Sequence, residues 1–237
     1  MAAVAGLPDL VFPPRCLACR EGRGGAGDPL CPSCRRALTL SPGPLCAGCG
    51  TAPAENSCSF CPSCGKGLHR DGLLFLGPFE GVLRELVHAF KYRADFGAGA
   101  FLAGLLAERV AREPAVGWDL VLPVPLHPRR LRTRGFNQAA LLGGRTAAAA
   151  GGRFDPRVLK RTVETRPLAG LDPRRRRRQV KGVMAAARGA EVSGRRILLV
   201  DDVVTSGATV EECCRILKEK GASLTVVAAL ARATAPR

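Results

Sequence analysis

Two adjacent carboxylates, Asp201 and Asp202, are followed after Val203 and Val204 by the turn Thr205-Ser206-Gly207-Ala208-Thr209. A hydroxyl- and glycine-rich turn that opens a helix presents free backbone N–H groups. With the Thr205, Ser206 and Thr209 hydroxyls these can wrap a phosphate monoester. Phosphate has no need of acids beside it, but a sugar does, because carboxylates accept hydrogen bonds from a vicinal diol. Acids and turn together describe a ribose 5-phosphate site. No lysine follows Gly207, so the turn is not the triphosphate loop GxxxxGK(S/T). The plainer alternative is a buried strand with an Asp-capped turn.

The elements that must position these residues are legible on both sides. Ile197-Leu198-Leu199-Val200 is the continuous apolar run of a strand buried on both faces, with the acids where that strand should end. Beyond the turn, Val210, Cys213, Cys214 and Leu217 are spaced three, four and seven apart, as on one helix face. Glu211 and Glu212 suit its first turn, Lys218 and Lys220 its last, and Gly221 its end. Trp118 to Pro125 reads as a second buried strand. If both strands join one parallel sheet, its C-terminal end lies beside the acids, at the edge where open α/β sheets bind ligands.

The basic segment His127 to Gln138 follows, and Arg suits pyrophosphate because its planar fork contacts phosphate oxygens bidentately. A helix then runs from Ala139 to Ala150 and ends at Gly151-Gly152. Upstream, Gly72 to Pro78 reads as a short strand. A helical pattern starts at Phe79 and closes on Lys91-Tyr92-Arg93, and a second helix fits Ala98 to Arg112. These flank the sheet or form a hood over it. His88 reads as an ordinary surface or core histidine.

Nine of the eleven cysteines fall before residue 65, as Cys16-x-x-Cys19, Cys31-x-x-Cys34, Cys46-x-x-Cys49, then Cys58, Cys61 and Cys64. Two CxxC knuckles complete a tetrahedral Zn²⁺ site, so eight thiolates imply two structural zincs. Sequential pairing puts Cys16, Cys19, Cys31 and Cys34 on one ion and Cys46, Cys49, Cys58 and Cys61 on the other. A crossed arrangement and Cys64 in place of Cys58 stay open. The segment has few large apolar residues and needs metal to fold. Gly22 to Gly27 satisfies GxGxxG, but no strand precedes it and no helix follows, so it is a loop between knuckles. Cys213 and Cys214 read as packing residues.

At 46% hydrophobic and 24% charged, the 237 residues can build a core, with room for one medium domain and a small one. Aromatic content of 5% argues against a stacking platform. No apolar run approaches a membrane span, and the start of the chain is not a secretory signal, so a cytoplasmic location is expected. Net charge is +16, of which residues 1–66 hold +2 and residues 67–237 hold +14, with five consecutive arginines at Arg174–Arg178. Such a field favours polyanions; a solvated basic loop is the bland reading.

The stretch LVDDVVTSGAT at Leu199–Thr209 resembles the signature of type I phosphoribosyltransferases, which bind phosphoribosyl pyrophosphate (PRPP). FPPRCLAC near the start, FKYR at Phe90–Arg93 and LPVPLHPRRLRTRGFNQ at Leu122–Gln138 precede it in the order of the ComF family. That resemblance covers nearly the whole chain. It implies a double zinc ribbon over residues 1–66 and an α/β, Rossmann-like parallel sheet flanked by helices over 67–237, with 67–115 as hood or flank and 116–237 as core. It further implies PRPP contacts from Val203, Val204, Thr205, Ser206, Gly207, Ala208 and Thr209, with Asp201 and Asp202 catalytic. Pyrophosphate would meet Val124, Pro125, Leu126, Arg129, Arg130 and Arg134, and Mg²⁺ would come with PRPP. The chain departs from the family where Leu168 replaces a Gln, Gln179 an Asn and Met184 a Phe. Those changes bear on the nitrogenous acceptor. The expected activity is transfer of a phosphoribosyl group to a nitrogen, releasing pyrophosphate. The rival from another class is a DNA-uptake factor that handles single-stranded DNA and only senses a nucleotide.

Overall fold

The computed structural model describes residues 15–24, 28–41, 46, 48–49, 60–61, 64, 67–113, 117–164 and 179–233. Cys58, the Thr165–Leu171 stretch with Leu168, the Arg174–Arg178 run and the end of the Gly22–Gly27 loop lie outside the described residues. In chain order the elements are α1 (Pro32–Ala37), β1 (Gly72–Pro78), α2 (Gly81–Tyr92), α3 (Phe96–Ala111), β2 (Leu120–Pro123), α4 (Pro128–Arg134), α5 (Gln138–Ala150), β3 (Arg153–Phe154), β4 (Leu159–Arg161), β5 (Met184–Ala186), β6 (Arg196–Val204), α6 (Ala208–Glu219) and β7 (Leu224–Arg232).

Five strands form one parallel sheet in the order β1-β7-β6-β2-β3, and β4 pairs with β5 as a small antiparallel ribbon. The apolar run Ile197–Val200 sits near the middle of the sheet, every residue 0% exposed. Successive side chains of a strand face opposite sides. Accordingly Leu198 and Val200 join one core with Leu86, Phe90, Leu102 and Leu142 of α2, α3 and α5. Ile197 and Leu199 join the other with Val210, Cys213 and Leu217 of α6. Each fully buried aliphatic side chain is worth roughly 1.5–3 kcal/mol, so this doubly covered strand anchors the domain. Cys213 and Cys214 are fully buried packing residues.

β2 runs parallel to β6 with Pro123 opposite Val200, and Val124 N–H continues the ladder to Val200 O at 2.8 Å. The C-terminal end of β2 therefore lies next to the acid pair. β1 is hydrogen-bonded to β7 along its length and so is an edge strand of the sheet itself, while α2 and α3 pack on the sheet beside α5.

Three boundaries differ from the pattern read in the sequence. β6 does not stop at the acids but runs through them to Val204, because β7 offers ladder partners as far as Arg232. The helix expected from Ala98 opens at Phe96, since the Asp95 carboxylate accepts from Ala98 N–H at 2.9 Å and caps it. The basic segment holds a short helix, α4, with Pro128 at its start and His127 Nδ1 accepting from Arg129 N–H at 3.3 Å. Gly135, at φ 82°, ends it. Among the described residues no helix is long and apolar enough to cross a membrane.

Candidate active site and metal centres

Asp201 and Asp202 line a cleft of about 740 Å³ at the C-terminal edge of the sheet. Each folds back on the chain: Asp201 Oδ1 accepts from Asp202 N–H at 2.8 Å, and Asp202 Oδ1 from Val203 N–H at 2.7 Å. Burial pushes the Asp201 carboxyl up to about 7, and the Asp202 charge pushes the same way. Lys91, in the last turn of α2, answers this charge. Its Nζ stands 2.8 Å from Asp202 Oδ2 and 3.0 Å from Oδ1. Burial works to lower the Lys91 pKa, but the Asp202 and Asp201 charges outweigh it and hold it above the usual range. The sequence marks Lys91 as the closing cation of a helix and as part of the FKYR motif, without assigning it to the acid pair.

The turn behind the acids is open where a phosphate would sit. Gly207 takes φ 77° as the N-cap of the twelve-residue α6. Glu211 N–H closes on Gly207 O at 2.9 Å, and Ala208 N–H reaches Ser206 Oγ at 3.5 Å. The amides of Thr205, Ser206, Gly207, Thr209 and Val210 find no acceptor among the described residues. Thr205, Thr209 and Val203 line the cleft. Ser206, Gly207 and Ala208 line a second cavity on the other side of the turn, so the turn is a wall between two spaces. The Val204 side chain is 2% exposed and belongs to the core.

Val124, Pro125 and Leu126 follow β2 into the same cleft, and Arg129, Arg130 and Arg134 line it from α4. Arg129 is largely exposed and pairs with Glu164 at 2.8 Å. Arg134 Nη1 donates to Gln138 Oε1 at 3.0 Å, and its guanidinium lies 5.9 Å from the Tyr92 ring centroid. The residues after Gly135 also frame the cleft, and Asn137 and Gln138 line it. Phe136 packs against Phe90 and Phe96. Asn137 caps α5 by accepting from Ala139 N–H at 3.0 Å and donates to Val124 O at 3.1 Å, tying helix to strand end. Gln138 is 1% exposed and its amide reaches Lys91 O at 3.5 Å, so it sits between Arg134 and the end of α2.

Arg161 of β4, which no motif singles out, also lines the cleft. Burial lowers its pKa, the Arg130 charge adds to this, and Asp201 opposes it. Met184 lies opposite Arg161 in the β4–β5 ribbon and is buried.

Among the described residues two groups of four sulfurs gather, each with all ligand atoms within 4.8 Å of one another. One is Cys16, Cys19, Cys31 and Cys34; the other is Cys46, Cys49, Cys61 and Cys64. Pairing is thus sequential. The fourth place in the second group, given to Cys58 by spacing, is held by Cys64. Three successive cysteines at CxxC spacing leave that choice to the backbone, and the Cys61–Cys64 knuckle closes with Cys64 N–H on Cys61 O at 3.0 Å. The chemistry of both groups fits zinc. Cys46 Sγ accepts from Cys61 N–H at 3.1 Å and Gly48 N–H at 3.3 Å, and Cys19 Sγ from Gly22 N–H at 3.4 Å. Such bonds stabilise thiolates, and they hold Cys46 below the ordinary thiol range although burial alone would raise it. No disulfide joins the described cysteines. Two four-cysteine structural zinc centres follow.

The double zinc ribbon domain matches residues 7–65 and the phosphoribosyl transferase domain residues 148–237. Competence protein F of Haemophilus influenzae is 31% identical over 168 residues, 69% of this chain and 73% of that protein. DNA utilization protein YhgH of Escherichia coli is 33% identical over 164 residues, 68% and 71% of the two chains. Orotate phosphoribosyltransferase of Helicobacter acinonychis is 46% identical over 54 residues, 22% of this chain and 27% of that one.

Proposed function

From the premise that the chain belongs to the ComF family, that of competence protein F, we propose that it binds PRPP and transfers the phosphoribosyl group to a nitrogenous acceptor in the cytoplasm. The observation that carries this reading is the acid pair on β6 beside a turn whose amides are turned to no acceptor within the described chain. The turn Thr205–Thr209 receives the 5-phosphate, its amides and hydroxyls replacing water around the anion. Asp201 and Asp202 accept the 2- and 3-hydroxyls. Displacement of Lys91 from Asp202 accompanies this, because one carboxylate cannot serve both an ammonium and a diol in full.

Attack by an acceptor nitrogen at C1 breaks the bond to pyrophosphate through an oxocarbenium-like state. The carboxylates stabilise the positive ring, and Arg129, Arg130 and Arg134 face the departing anion from α4. Mg²⁺, chelated by the substrate's own oxygens as suits an ion that keeps few protein ligands, would neutralise charge on the leaving group. No protein nucleophile is required.

The test is Asp201→Asn combined with Asp202→Asn, titrated with PRPP and Mg²⁺ by calorimetry. Binding is expected to vanish while the circular dichroism of the fold persists. A folded double mutant that binds like wild type overturns the reading, and pyrophosphate release with screened bases identifies the acceptor.

The second reading, handling of single-stranded DNA, is favoured by one specific feature. Tyr92 is 68% exposed at the cleft mouth beside Arg134, a base-stacking face next to a cation. The relatives' names point the same way. A gel shift on single strands should then weaken steeply with salt; no binding at low salt removes this reading.

A further inference from the structure

Arg70 reaches from the second zinc centre to the first turn of α6, beside the turn that would hold phosphate. It is 4% exposed. Its Nη2 donates to Gly48 O at 2.9 Å. Gly48 in turn donates its N–H to Cys46 Sγ at 3.3 Å, and a Cβ at Gly48 would lie 2.9 Å from Cys64 Sγ. Gly48 is thus clasped inside the thiolate group. On the other side Arg70 Nη1 donates to Glu211 Oε2 at 2.8 Å, in the first turn of α6. His69 fixes the other oxygen of the same carboxylate through its backbone N–H and its ring. The Arg70 fork also lies over Gly207, with Nη1 3.4 Å from the position a Cβ would take.

Three hydrogen-bonded links therefore run in series, Cys46 to Gly48, Gly48 to Arg70 and Arg70 to Glu211, and the Arg70 fork lies beside Gly207 at the start of the same helix. Arg232, at the end of β7, lies in the same cavity and faces the charges of Cys46, Cys49 and Cys64. Its buried Nη1 meets no hydrogen-bond partner among the described residues. A four-thiolate zinc centre carries two negative charges, which two arginines behind it complement.

We infer that Arg70 is a positioning residue that couples the second zinc centre to the phosphate turn, so that occupancy of either one steadies the other. The inference rests on the PRPP reading of the cleft. Coupling between two sites is reciprocal, which supplies a readout that a merely structural arginine would not move. PRPP with Mg²⁺ should slow release of one of the two zincs to a chromogenic chelator, and loss of that zinc should weaken PRPP. The experiment uses the zinc-loaded full chain and follows zinc release with and without PRPP.

In wild type a slowing of about fivefold or more is expected for one zinc and none for the other, within the usual range of coupling. In Arg70→Ala both zincs stay bound at rest, PRPP binds less tightly, and the slowing disappears. Should Arg70→Ala fail to fold, Glu211→Ala cuts the same chain from a more exposed position and should abolish the slowing too. A wild type that binds PRPP yet releases both zincs at an unchanged rate overturns the inference, as does a folded variant that keeps the slowing. If wild type binds no PRPP, the phosphoribosyl reading fails separately. Inorganic phosphate then serves as the probe of the turn, and zinc release indifferent to saturating phosphate also overturns the coupling.

Discussion

Lys91 Nζ and Asp202 Oδ2, 111 residues apart in the chain, stand 2.8 Å from each other across the cleft. The pair resolves a conflict set by β6, which puts two carboxylates side by side where little water reaches. It also means that a sugar entering the cleft meets an acid already in use.

Removing the ammonium while keeping the length of the side chain separates these roles. With Lys91→Met the Asp201–Asp202 pair loses its nearest opposite charge, so the Asp201 carboxyl should move above its value of about 7. The pH midpoint for PRPP binding should rise by about half a unit or more. Calorimetric titrations at a series of pH values check this, and an unmoved midpoint contradicts it.

Asp201 makes stability and binding respond to pH in opposite directions. Its folded value of about 7 lies above the ordinary 3.8, so the native state holds this proton more tightly than the unfolded chain. That contribution to stability is complete below pH 4 and is lost as pH rises from there through 7. Asp201→Asn removes it, so Tm of the variant relative to wild type should climb between pH 5 and pH 8, by a few degrees at about 2–4 °C per kcal/mol for this size. PRPP affinity of wild type should instead fall as pH drops below 7, by up to about tenfold per unit for a single proton.

Zinc stoichiometry distinguishes the two cysteines that spacing left open. Because Cys64 stands with Cys46, Cys49 and Cys61, Cys64→Ser should reduce bound zinc from two per chain to one, by elemental analysis of the purified protein. Cys58→Ser should keep two. The reverse result would restore Cys58 as the ligand.

Asn137 holds the start of α5 and the end of β2 together. Asn137→Ala removes a helix cap worth about 1–2 kcal/mol and leaves Val124 O without its side-chain donor. Tm should fall by about 2–8 °C, and affinity for PRPP should weaken although residue 137 need not touch it. Thermal melts beside calorimetry show whether both occur.

The sheet was legible because its strands are coded locally. Ile197–Val200 and Leu120–Pro123 are uniform apolar runs, and both are buried on both faces. The turn after β6 was legible because few sequences place two acids, two free threonines and a glycine so close together. The roles of Lys91 and Arg161 were not, since FKYR marks Lys91 without saying what it meets, Arg161 has no local signature, and each becomes meaningful only when α2 or the β4–β5 ribbon folds onto the sheet edge. Arg70 was hidden for the same reason: Gly48 and Glu211, which it bonds, lie 22 and 141 positions away. Asn137 and Gln138 line the same cleft as the arginines, but their parts as a helix cap and a buried amide were not legible, because in one dimension they look like any other polar residues.

The strand order has a consequence for how the molecule is made. β7 lies between β1 and β6, so β1 emerges from the ribosome with no sheet neighbour until residues 224–232 follow it. At ordinary synthesis rates of about 5–20 residues per second that wait is roughly 7–30 s. Throughout it, Leu73 to Leu76 lack the strand that pairs with them in the finished sheet, an unpaired apolar edge of the kind that invites pairing with other chains.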